Sequence, residues 1–476
     1  MNKLFVFIPL LAIALTGSAQ SQYCGTLQTE ADLVWLRNFQ QHYVPGEGER
    51  GGDTYYIPMK VHILGNDAGT GYYNLSYLYT AICELNDHFL ATGFVYYIYG
   101  DIDYIDETDY YEHNFFDGGE MMDENNVDDL LNVYFVADPA GNCGYFSPSD
   151  NGVAVAKSCA MPGGTTIAHE FGHFFSLPHT FLGWEFGTPD DDDQEWVNGD
   201  NCNTAADGFC DTPPDYLPYR WNCPGPLQTD INGDTFYSDG TYYMSYSNDA
   251  CTDKFSDEQQ DAMIANLTGP RNDMLDFPIP VYVDLTSSPT PVSPADLATG
   301  TFPDYTFIEW TPVEGATQYH LQLAFSASFS AIAEDVVTSN NYYEARDLLV
   351  DKKYFWRVRP LAPLNTCETT SIAQSFTTGN LLSNIQQSEL FNQIAIYPNP
   401  AISGKTISIN YTSTNGFEGG LSVLDITGKV IATQPITIFT GNDVIKVAIP
   451  QVSAGIYFMR FSNNTESELI EFMIAE

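Results

Sequence analysis

The chain has little positive charge. It sets 17 Lys and Arg against 62 Asp and Glu, a net charge of -45 over 476 residues. A surface of that sign repels phosphate backbones and anionic lipid, which argues against nucleic acid as a partner and for solubility in a salty or calcium-containing medium. Long apolar runs are also scarce. The one at the N-terminus, in MNKLFVFIPLLAIALTGSAQSQ, is too short to span a bilayer, and no later segment reaches transmembrane length. Lys3 ahead of that run, with small Gly17 and Ala19 behind it, predicts a cleaved secretory signal over residues 1–19. Export permits disulfides, and nine cysteines, an odd count, leave at least one without an intramolecular partner. The close pairs are Cys143 with Cys159 and Cys202 with Cys210, and Cys223 could bridge to Cys251. That leaves Cys24, Cys83 and Cys367.

The length suggests two to four domains. Residues 20–52 hold a short helical pattern, LQTEADLVWLRNF, and then the Gly- and charge-rich PGEGERGGD, the kind of flexible basic stretch that proteases cut. This predicts a removable prosegment ending near Arg50. From 53 to 280 the types mix: YYIPMKVHIL, VYYIYGDIDYI, LLNVYFVAD and NGVAVAKS read as strands and LSYLYTAICELNDHFLATG as an amphipathic helix, the mark of an α+β domain. FPIPVYVDLTSSPTPVSPAD is a Pro- and Ser-rich linker, and beyond it the alternation of FIEWTP, YHLQLAFS and KKYFWRVRPL predicts a β-sandwich over 287–378. A second all-β segment, 391–476, closes the chain.

The chemistry concentrates in HEFGHFFSLPH, residues 169–179, which holds three of the eight histidines. On a helix, His169 and His173 share a face and can bind one ion, while Glu170 beside the first can act as base for its water. Zinc is the expected ion, since imidazole suits it and it brings Lewis acidity without redox chemistry. His179 cannot join them on a straight helix, because it would lie about 240° round from His173 and roughly 9 Å along. The chain must break between them, and Pro178 helps by driving Leu177 out of the helical region.

The spacing resembles that of the metzincin zinc peptidases, His-Glu-x-x-His-x-x-Gly-x-x-His, with Ser176 in place of their glycine. That glycine takes a left-handed conformation, which costs another residue about 1–2 kcal/mol. Met244 in GTYYMSYSNDAC is a candidate for their methionine turn, and Tyr246 stands where several of them keep a tyrosine near the metal. With GDNCNTAADGFCDTPPD and RWNCPG between the motifs, residues 55–270 resemble the pappalysin branch, in its cytophagalysin-like members. The resemblance implies that His169, His173 and His179 ligate zinc, that Glu170 is the general base, and that a Cys223–Cys251 bridge ties the loop to the methionine turn. It points to structural calcium at Asp207 and Thr212; a solvated acidic loop is the alternative there. Pappalysin-like proenzymes also carry a Cys-Gly-Thr like the one at Cys24, whose thiolate can take the fourth zinc position. The alternative is a bond from Cys24 to Cys83 or Cys367. Residues 287–378 resemble a fibronectin type III domain, with Trp310 and Tyr354 as its core aromatics. The last segment, with its YPNP opening, Gly-Lys turn and Gly-x-Tyr strand, resembles the sorting domains of type IX secretion.

These readings together predict a secreted or cell-surface zinc metalloendopeptidase, exported through the periplasm as a latent precursor. Its partners would be protein or peptide substrates and, through the C-terminal domain, the secretion machinery. NGVAVAKS is expected to be the rim strand that pairs with extended substrate. Two alternatives stand beside this: a two-histidine site completed by Glu185 or Glu195, and a surface adhesin in which the metal domain is scaffold.

Overall fold

The computed structural model describes residues 22–26, 28–44, 53–367, 370–379, 390–391, 393–426, 429–463 and 467–475. The signal segment and the cleavage site at Arg50 lie outside the described residues. The chain divides into two compact units, one of residues up to 291 with 310–341 and 356–373, the other of 292–309, 342–355 and 374 onward.

The first unit is built on a mixed sheet. Its elements in chain order are β1 (Gln22–Cys24), α1 (Glu30–His42), β2 (Tyr55–Gly65), α2 (Leu75–His88), β3 (Phe94–Ile98), β4 (Asp103–Asp106) and α3 (Phe115–Asn125), followed by β5 (Leu131–Val136), β6 (Asn142–Ser147), β7 (Gly152–Ala156), α4 (Thr166–Phe174) and α5 (Asp257–Thr268). The sheet order is β1-β6-β7-β5-β2-β3, with β4 also on β2. Strands β2, β3, β4, β5 and β7 run parallel, and β6 runs antiparallel to β7. Every residue of β5 and β7 is buried, as expected of parallel strands covered on both faces. On one face Val153 and Val155 pack in a core with Phe171, Phe174 and Phe175 at and just beyond α4, and with Phe89, Phe94 and Tyr96.

Local chemistry sets the helix ends. Asn74 caps α2 by accepting from the Ser76 amide, and Ser256 with Gln259 forms a capping box at the start of α5. Ala262, Met263 and Leu267 of α5 join the same core.

One expectation fails. The strand in NGVAVAKS, β7, is interior, hydrogen-bonded to β5 on one side and β6 on the other. The edge belongs to β6, and β1 occupies that edge in parallel register, Gln22 opposite Asn142 and Cys24 opposite Gly144. Period-two patterning marks a strand but carries no information about its neighbours, and NCGYFS is too short and polar to announce itself.

Residues 287–378 are all β, with Gln318–Ala324 antiparallel to Ile332–Thr338 in the first unit and Thr306–Trp310 antiparallel to Tyr342–Ala345 at the second. Trp310 and Tyr354 are fully buried. In the second unit, the terminal segment forms a three-stranded and a five-stranded sheet around Ile409, Tyr411, Val423, Met459 and Phe461.

Four disulfides form: Cys143–Cys159, Cys202–Cys210, Cys223–Cys251 and Cys83–Cys367. Because Cys83 and Cys367 take each other, Cys24 is left free and buried, and the alternative of a bond from Cys24 to either falls.

Candidate metal centre

Helix α4 carries His169 and His173 one turn apart on a fully buried surface. It ends as the sequence requires, but without a glycine. Ser176 takes φ 74°, donating its amide to the His173 carbonyl at 2.9 Å, while the Leu177 amide reaches the Gly172 carbonyl at 3.0 Å. This is the paired 5→2 and 6→1 closure of a Schellman stop. The Ser176 hydroxyl also accepts from Asn266 Nδ2 of α5 at 2.8 Å, an anchor that glycine could not offer. The chain then turns back and His179 meets the other two.

The three Nε2 atoms converge, with that of His173 lying 3.2 Å from His169 Nε2 and 3.1 Å from His179 Nε2. Each opposite nitrogen faces an acceptor: His169 Nδ1 the Tyr243 carbonyl at 2.6 Å, His173 Nδ1 the Leu177 carbonyl at 2.7 Å, and His179 Nδ1 the Glu185 carboxylate at 2.9 Å. Each Nδ1 must therefore carry the proton, which leaves three Nε2 lone pairs aimed at one another. Burial first, and then mutual repulsion, holds His169 and His173 well below the usual histidine range, so the rings are neutral. Three converging lone pairs in a dry site fit a cation and little else, and the outer carbonyls and carboxylate are the partners that orient metal-binding imidazoles.

The Sγ of Cys24 completes the group: its ligand atom and those of the three histidines all lie within 4.8 Å of one another. Cys24 Sγ is also 3.4 Å from Glu170 Oε2, which accepts from the Thr26 hydroxyl at 3.0 Å. Glu170 is fully buried, its Oε1 has no hydrogen-bond partner, and burial pushes its carboxyl up to about 8. Gly144 of β6 permits this approach, since a Cβ there would come 2.9 Å from Glu170 Oε1.

Beneath the helix, Met244 is fully buried, and a Cβ on Gly172 would collide with its sulfur. The turn at Met244 also holds the site, through the Tyr243 carbonyl on His169 and the Met244 carbonyl, which accepts from the Thr180 amide at 3.2 Å. Tyr246 stands edge-on to His179 with ring centroids 4.9 Å apart, and its hydroxyl donates to the Cys24 carbonyl at 3.1 Å. Neither alternative glutamate is among the clustered ligand atoms. Glu185 backs His179 from outside, and Glu195 lies in the loop of Asp207.

That loop brings Asp207 and Thr212 together, the Thr212 hydroxyl donating to the Asp207 carboxylate at 3.0 Å. Burial and the charge of Asp207 push Glu195 up to about 9, burial pushes Asp207 up to about 8, and Glu195 Oε2 is buried without a partner. Buried carboxylates this close together are a donor set that fits a hard cation. Glu195 stands in the acidic stretch GTPDDDDQEWVNGDNC, whose oxygen ligands suit calcium, but its pairing with Asp207 was not legible in the sequence. Asp215 was not legible either: it accepts from Thr180, Ser238 and Ser245, tying the segment after His179 to the turn at Met244. DTPPD drew attention to this stretch but could not say what Asp215 holds.

Residues 150–268 match the family described as pregnancy-associated plasma protein-A, and residues 395–475 match the secretion system C-terminal sorting domain. An extracellular metalloprotease of Colletotrichum graminicola is 29% identical over 157 residues, 28% of this chain and 47% of the relative. Extracellular metalloprotease 1 of Coccidioides posadasii is 30% identical over 151 residues, 26% of this chain and 45% of the relative. The chain thus spans about half the length of the curated relatives it matches. A solved fibronectin type III domain of the human fibronectin type III domain containing protein 3 aligns at 17% identity over 23% of this chain and 97% of that one. Its TM-score is 0.17, which carries no argument.

Proposed function

We propose, on the premise that residues 150–268 form a domain of the pregnancy-associated plasma protein-A (pappalysin) peptidase family, that the chain is a secreted zinc metalloendopeptidase made as a latent precursor. The observation that carries the reading is the convergence of three proton-bearing imidazoles, through their free nitrogens, on one point beside a buried glutamate. His169, His173 and His179 would hold zinc in a metzincin-like arrangement over Met244. Zinc, when bound, supplies Lewis acidity toward a peptide carbonyl and toward water.

The residues do the rest. Glu170 takes a proton from the attacking water at a carboxylate oxygen and returns it to the leaving amine. Tyr246 turns its hydroxyl from the Cys24 carbonyl toward the carbonyl oxygen of the substrate, where charge develops. The edge of β6, once free, pairs with extended peptide backbone.

Latency follows from what fills these places. Cys24 Sγ would join the three histidines in holding zinc, Thr26 ties up Glu170, and β1 covers the β6 edge. Cleavage near Arg50 would release all three. The Asp207, Thr212 and Glu195 loop would hold structural calcium, and the terminal domain would deliver the protein to its secretion machinery by way of the periplasm, to the cell surface or beyond. The boundaries at 53–280, 287–378 and 391–476 belong to the same reading. A surface adhesin would have no use for Glu170 beside the histidines.

The test is hydrolysis of casein by the processed protein, with and without a chelator. Glu170→Ala should keep stoichiometric zinc and lose about 100-fold or more in rate, while His179→Ala should lose the zinc as well. Zinc-loaded parent no faster than Glu170→Ala would favour the adhesin, and His179→Ala with full zinc would return the site to two histidines.

A further inference from the structure

We propose that the hollow beside His169 is a substrate side-chain subsite that selects an aromatic residue, tyrosine above all, with Arg220 as its specificity-determining platform. The inference rests on the peptidase reading above and names a feature of the substrate for that site. The hollow has a volume of about 350 Å³ and is walled by Tyr23 of the prosegment together with Thr166, Cys143 and Cys159, Arg220 and Asp249, so departure of β1 would add the space of the Tyr23 ring to it.

Position comes first. Tyr23 precedes Cys24 by one residue, and its ring stands edge-on to His169 at 5.3 Å and to Tyr246 at 5.2 Å. In this proposal a substrate residue that flanks the reacting bond puts its side chain into this space once β1 has left.

The chemistry of the walls decides which side chain. The Arg220 guanidinium lies 4.0 Å over the Tyr23 ring. Nη2 of Arg220 pairs with Asp249 at 3.0 Å while Nη1 donates to the Ser247 carbonyl, so the plane is held in place and presents a flat cation to a ring face. The polar end is supplied by the Thr166 side chain, which lines the hollow.

Charge argues against the other classes. A lysine or arginine would meet Arg220, and Asp249 offers it little relief, because Asp249 already accepts from Arg220 and from the Thr165 amide and hydroxyl. An aspartate or glutamate would find the cation but leave the guanidinium face uncovered. Tyr23 is thus the chain's own template for the residue the mature enzyme receives.

The test is a peptide-library profile of the mature, zinc-loaded enzyme read by mass spectrometry. Tyrosine, then phenylalanine, should be enriched roughly 5-fold or more at one position abutting the cleaved bond, with lysine and arginine depleted there. Arg220→Glu should move that position toward lysine and arginine. Thr166→Val, which keeps shape and burial, should lower the tyrosine-to-phenylalanine ratio. A parent profile flat at both positions abutting the bond overturns the subsite even if Arg220→Glu does not fold. So does a profile that both variants leave unchanged. In either case the peptidase reading stands. Zinc-loaded enzyme that cleaves no peptide overturns both.

Discussion

Ser176 shows how a single side chain can reverse the meaning of a departure from pattern. A left-handed serine costs about 1–2 kcal/mol, and its hydrogen bond with Asn266 contributes about 0.5–1.5 kcal/mol. The two nearly cancel, so Ser176→Gly should change unfolding free energy by less than about 1 kcal/mol. Ser176→Val keeps the strain, adds a β-branch where left-handed geometry tolerates it least, and deprives Asn266 of its acceptor, so its urea midpoint should fall clearly below that of the glycine variant. The histidines and Glu170 were legible because their geometry is local, fixed by four- and six-residue spacings. Glu185 could be seen as a carboxylate near the site, but nothing in the string said that it would sit behind His179 rather than on the metal. Tyr23 and Arg220 lie almost 200 residues apart, and no spacing rule joins them.

Among the elements, β1 matters most to the state of the site. Three residues of strand hold the Cys24 thiol against the histidines, and Thr26 beyond it holds Glu170. Cys24→Ala precursor should therefore hydrolyse casein before any cleavage near Arg50, at a rate between those of parent precursor and mature enzyme, because β1 still covers the β6 edge. Activity equal to the parent precursor's would show that backbone pairing alone keeps the site closed. Helix α1 adds to the hold: Arg37 donates to the carbonyls of Ala206 and Asp207, and Gln40 to that of Asp207. The strands β2, β5 and β7 were legible from their apolar runs, the helices α1 and α2 from a helical pattern, and α4 from its histidine spacing. Helix α5 did not, although its Ser256 and Gln259 capping box stood in plain sight, because its apolar positions form no strong stripe and polar Gln259 and Asn266 are buried in it. The edge strand β6 could not be read at all, since which strand lies outermost is a property of the whole sheet.

At the scale of the molecule, buried neutral histidines set the acid limit. Burial lowers both His62 and His320 below the usual value, even though each faces a carboxylate, Asp103 and Asp335 respectively. The folded state thus binds these protons less readily than the unfolded chain, whose histidines titrate near about 6.5. Their contribution to stability is complete above that value and is lost as pH falls through the lower folded values. Urea unfolding at constant zinc should show a midpoint that falls from pH 7.5 to pH 5, with a shallower fall in His62→Gln than in the parent. An equal slope in both would assign the acid sensitivity elsewhere. The all-β character of 287–378 was legible from alternation, but its covalent relation to the rest was not, because a bond between Cys83 and Cys367 spans 284 residues.

That bond changes what a cut means. As a string, the chain falls into two pieces when broken in the exposed linker at Val281 or Tyr282. With Cys83 joined to Cys367, the same stretch is an arc of a ring, and one break opens a ring without dividing it. A protein nicked there should run as one species on a non-reducing gel and as two after reduction. Two fragments without reductant would mean that the ring is not closed in the secreted protein. A chain cut in its own linker would thus keep its all-β stretch and, with it, whatever the rest of the chain is attached to.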